Sequence, residues 1–74
     1  MIGARSKTGK LRQRLPRELA DRLIYVAVDI KDGQRYITAS FFEREISSRY
    51  HVVHIDPLDW LTDAMIARIC LEVP

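Results

Sequence analysis

Apolar and polar positions alternate from Ile24 to Phe42, on either side of Asp32-Gly33. That dipeptide tolerates the positive φ angles of a tight type I′ turn, so the stretch predicts a β-hairpin. With Asp32-Gly33 as turn residues, Lys31 faces Gln34, Ile30 faces Arg35, Val28 faces Ile37, Val26 faces Ala39 and Ile24 faces Phe41. Side chains alternate along a strand, which puts these apolar residues on one core face. The other face carries Tyr25, Ala27, Asp29, Tyr36, Thr38, Ser40 and Phe42. A slip of one residue would turn the apolar set to water, so the register is well specified.

The period changes on both sides of the hairpin. Leu15, Leu19 and Leu23 recur at spacing four, the mark of a short helix over 15–23. Pro16 suits its first position and Glu18 its first turn; Arg17, Asp21 and Arg22 are expected in water. After the hairpin, Glu43–Ser48 reads as a polar turn, with Ile46 plugging an edge of the core. Arg49–Ile55 reads as a third strand, antiparallel to either hairpin strand. Asp56-Pro57 then opens a C-terminal helix running to about Leu71. Leu58, Leu61, Met65 and Ile69 mark its core face, broadened by Trp60, Ala64 and Ile66. The expected fold class is α+β: a short N-terminal helix, a three-stranded antiparallel sheet built on a hairpin, and one C-terminal helix packed on the sheet.

Residues 1–14 show almost no apolar periodicity and are expected to form a flexible basic arm, with 15–74 as a single domain. Charge sharpens this division. Residues 1–22 hold seven cations against two acids, a balance of +5, whereas 23–74 hold five against eight, a balance of −3. A basic arm on a mildly acidic body is the electrostatic form of many nucleic-acid binders. Arg5, Lys7, Lys10, Arg12, Arg14 and Arg17 are the candidate phosphate-gripping residues. Tyr25, Tyr36 and Phe42 are a candidate base-stacking or partner face, near Arg35 and Arg44. Cover from the first helix or from a second copy is the competing expectation for that face. Asp29 on the same face repels phosphate and favours a protein partner instead.

Other chemistry is thin. Ala4–Lys10 approaches a phosphate-binding loop, but Leu11 stands where Ser or Thr must hold magnesium, and no strand precedes it. His51 and His54 lie three apart on a strand, hence on opposite faces, so a shared metal is not expected. Cys70, the lone cysteine, excludes an internal disulfide and is expected buried and inert. No carboxylate pair has a reason to share a proton. A single thiol, and no apolar run of the roughly 18 residues needed to span a bilayer, point to a cytoplasmic chain.

The reading that follows is a small non-enzymatic nucleic-acid-binding protein without cofactor or metal, gripping DNA or RNA through its arm. The runner-up is a protein-binding inhibitor or adaptor of mobile-element, anti-defence or antitoxin type, acting through the hairpin face and an open sheet edge. A chain of 74 residues buries little core, so a homodimer is expected to be within its reach.

Overall fold

The structure, a computed structural model, describes residues 6–43 and 49–74. Helices α1 (Lys7–Arg14) and α2 (Arg17–Arg22) lead into strands β1 (Leu23–Lys31), β2 (Gln34–Phe42) and β3 (Tyr50–Ile55). A short 3-10 turn (Pro57–Asp59) and helix α3 (Asp63–Glu72) follow. The sheet is antiparallel in the order β1-β2-β3, so the third strand joins the second. The architecture is the expected α+β unit.

The hairpin has the expected turn and register. Asp32 and Gly33 take φ of 52° and 76°, and partners run from Lys31–Gln34 to Tyr25–Ser40 as the alternation requires. Beyond Tyr25 the ladder shifts. Leu23, not Ile24, pairs with Phe41, so one extra residue bulges out of β1 where it leaves α2.

All the helices lie against one face. Leu11, Leu15, Leu19, Met65, Ile69 and Val73 form one buried cluster with Ile37, Ala39, Phe41, Val53 and Ile55 of the sheet. The hairpin tip projects past this layer, which leaves Val28 and Ile30 exposed although they share the core face.

Residues 7–14, expected within a flexible arm, form α1 instead. Ser6 caps it, its Oγ accepting from the Gly9 N–H at 3.1 Å. Leu11 anchors it in the core with no exposed surface. Leu11 belongs to the same spacing-four series as Leu15, Leu19 and Leu23, and Pro16 divides that series between two helices. Pro16 stands at the cap of α2 rather than inside it. Arg5, Arg44, Ile46 and most of the expected turn over 43–48 lie outside the described residues.

The expected single C-terminal helix is two pieces. Asp56 does cap, accepting from the Leu58 N–H at 2.9 Å, but it caps only the 3-10 turn. Leu61 then takes φ of 63°, and Thr62 starts α3 by accepting from the Met65 N–H at 3.1 Å. This break swings Leu58 out to 90% exposure, whereas Met65 and Ile69 stay buried. Thr62→Ala removes the cap of the only described helix that follows the sheet, and is expected to cost about 1 kcal/mol in urea unfolding.

Two polar expectations are also corrected. Arg22, expected in water, is 6% exposed. Its Nε donates to the Phe42 carbonyl at 3.0 Å, and its Nη2 to the backbone oxygens of Glu43 (2.5 Å) and Pro74 (2.6 Å). Cys70, expected buried, is exposed, because the core side of α3 runs through Met65, Ile69 and Val73.

Candidate functional site

Helix α1 carries Lys7, Lys10, Arg12 and Arg14 and no acid. Cations in its first turn oppose the positive end of the helix dipole, a placement that helix stability alone does not favour. The structure does not gather the basic residues into one cluster. Lys7 lies over the Trp60 ring at 5.4 Å, and Arg14 pairs with Asp63 at 2.8 Å, both beside the C-terminal elements. Arg12 points the other way, its Nη2 donating to the Leu23 carbonyl at 3.2 Å. Lys10 and, at the start of α2, Arg17 are exposed with no side-chain partner among the described residues. The Arg14–Asp63 pair is solvent-facing; such pairs contribute at most about 1 kcal/mol and can exchange for phosphate.

Helix α1 stands along the outer edge of β1. Thr8 Oγ1 accepts from the Val26 N–H at 2.9 Å, while Arg12 reaches Leu23 further along, so helix and strand run in opposite directions. Further out, Asp29 Oδ1 accepts from the Ile30 N–H at 2.8 Å. This edge is therefore sheltered at both ends.

The face opposite the helices is uncovered by them. Alternation and register place Tyr25, Tyr36 and Phe42 there together, as the sequence predicts. Tyr36 is half-buried, edge-on to His54 with ring centroids 6.2 Å apart, and its hydroxyl donates to Gln34 Oε1. Tyr25 and Phe42 stay open, at 51% and 39% exposure. Strand β3 adds Tyr50, at 65%, and Val52 to the same face. Tyr50 was legible in the sequence only once β3 had a defined neighbour: beside β2 it pairs with Phe42. The small Thr38 and Ser40 of the central strand are buried between these flanking side chains. By alternation, Asp29 and Lys31 are this face's only described charges, so it is close to neutral.

Strand β3 forms the second edge. Ladder parity turns the backbone groups of Tyr50, Val52 and His54 outward, away from β2. One of them is engaged: the His54 carbonyl accepts from Arg68 Nη2 at 2.9 Å, and Arg68 also pairs with Glu72. His51 and His54 point to opposite faces of this strand. No group of His, Cys, Asp and Glu among the described residues could hold a metal ion. No helix among the described residues is long and apolar enough to cross a membrane. Comparison with protein families, curated proteins and solved structures finds no match for this chain.

Proposed function

We propose that this is a small non-enzymatic nucleic-acid-binding protein whose basic N-terminal segment contacts phosphates. The observation that carries this reading is α1 itself: four cations and no acid on eight residues, two of the cations in the turn where the dipole disfavours them. Lys10 and Arg17 are the unengaged contacts; Arg12 and Arg14 keep spare donors beyond their internal partners. Contacts of this type supply affinity with little sequence choice.

The test is fluorescence anisotropy with labelled DNA and RNA at two salt concentrations. Binding is expected to weaken steeply with salt. Charge reversal at the two exposed positions, Lys10→Glu with Arg17→Glu, is expected to lower affinity by at least about tenfold while the fold stays intact. Deleting residues 1–14 is not a clean substitute, because it also removes Leu11 from the core. Absence of binding to either polymer in dilute buffer overturns the reading.

One observation favours a second reading, an inhibitor or adaptor that binds protein. The near-neutral face with exposed Tyr25, Phe42 and Tyr50 has the aromatic make-up of protein interfaces and no net positive charge to grip phosphate, since Asp29 offsets Lys31. Alanine at Tyr25 and Phe42 that leaves nucleic-acid affinity unchanged but abolishes activity in cells would select this alternative.

A further inference from the structure

We propose that the outer edge of β3 is the seat of a second copy of this chain, paired antiparallel about a two-fold axis at Val52. The inference is independent of nucleic-acid binding and rests on the unequal edges of the sheet. On β1, Thr8, Arg12 and Asp29 engage the Val26 N–H, the Leu23 carbonyl and the Ile30 N–H, which interrupts the row on both sides of Val28. Strand β3 has no proline or acidic residue over Tyr50–Ile55, and of its outward groups the His54 carbonyl alone has a described partner. Such a row of donors and acceptors is a template for another strand.

The row is self-complementary. A two-fold axis at Val52 lets each Val52 N–H donate to the Val52 carbonyl of the other copy. Tyr50 of each copy then lies opposite His54 of the other, again with outward groups matched. The His54 carbonyl that Arg68 occupies keeps a second lone pair for the Tyr50 N–H. Side chains fit as well. Within one copy Phe42 pairs with Tyr50, and Thr38 with His54. Joining Tyr50 to His54 across the axis makes one continuous row through both molecules on the uncovered face. On the helix side, His51 meets Val53 of the other copy. No acid meets an acid and no lysine or arginine meets another across the paired strands, which removes the usual obstacle to self-association. A foreign peptide strand would match the backbone equally but has no reason to match these side chains.

Sedimentation velocity across a wide concentration range is the test. A dimer that grows with concentration is expected. Val52→Pro is the diagnostic variant, because its missing N–H faces away from β2 and edge strands tolerate proline. It is expected to raise the dissociation constant by at least about tenfold with an unchanged circular dichroism spectrum. Should that variant unfold, Tyr50→Lys, which changes an exposed side chain only, is expected to weaken the dimer similarly. A protein that stays monomeric at every concentration, or a dimer that a folded edge variant leaves unchanged, overturns the proposal.

Discussion

Arg22→Met is expected to destabilise the fold by about 3 kcal/mol, enough to move the urea midpoint by roughly 2 M at the unfolding slopes usual for small domains. The guanidinium joins three points distant in sequence: the α2 helix that carries it, the end of β2 through Phe42 and Glu43, and the backbone oxygen of Pro74. Methionine fills a similar volume but leaves these part-buried acceptors without the donor that joins them. Total stability for a chain of this size is about 4–10 kcal/mol, so the loss is a large fraction. Arg22→Lys recovers little of it, because one ammonium cannot reproduce a planar fork aimed at separate oxygens. Glu18→Gln separates the roles: the Glu18 carboxylate accepts from Arg22 Nη1 at 3.3 Å but is 83% exposed, so its loss is expected to cost less than about 1 kcal/mol.

Leu11→Ala is the second large effect, at about 2–4 kcal/mol. Leu11 has no exposed surface and belongs to the common core cluster. Helix α1 has only eight residues, too few to persist alone in water. Without its anchor the helix is expected to leave the sheet and take Thr8 from Val26. Native-state amide exchange reads this directly: Val26 loses protection more than Tyr25, whose N–H points into the ladder with β2. Equal loss at both residues would mean global unfolding rather than release of the helix.

The two effects mark where sequence reasoning succeeds and where it stops. The hairpin was legible because two local signals agree. Asp32-Gly33 demands its turn, and alternation demands its register. The bulge at Ile24 was not, since it answers to the junction with α2 rather than to the strand's own pattern. Helix α1 was hidden because one leucine among basic residues makes no visible stripe; Leu11 counts only when Leu15 and Leu19 are seen to share its core. Leu61 broke the last helix with no glycine or proline to announce it, although Thr62 was available as a cap. Arg22 looked like one more surface cation, because its backbone acceptors lie far along the chain, at the end of β2 and on Pro74. Of the candidate residues, Tyr25, Tyr36 and Phe42 were correctly grouped by alternation. The divergent aim of Lys7, Arg12 and Arg14 depends on Trp60, Leu23 and Asp63, and no local spacing encodes that.

Helix α1 occupies the flank where a fourth strand would otherwise dock. It closes that flank from Leu23 to Val26 and leaves the hairpin tip past Val28 open, so a strand arriving on this side finds only a short ledge and the two flanks are unequal sockets.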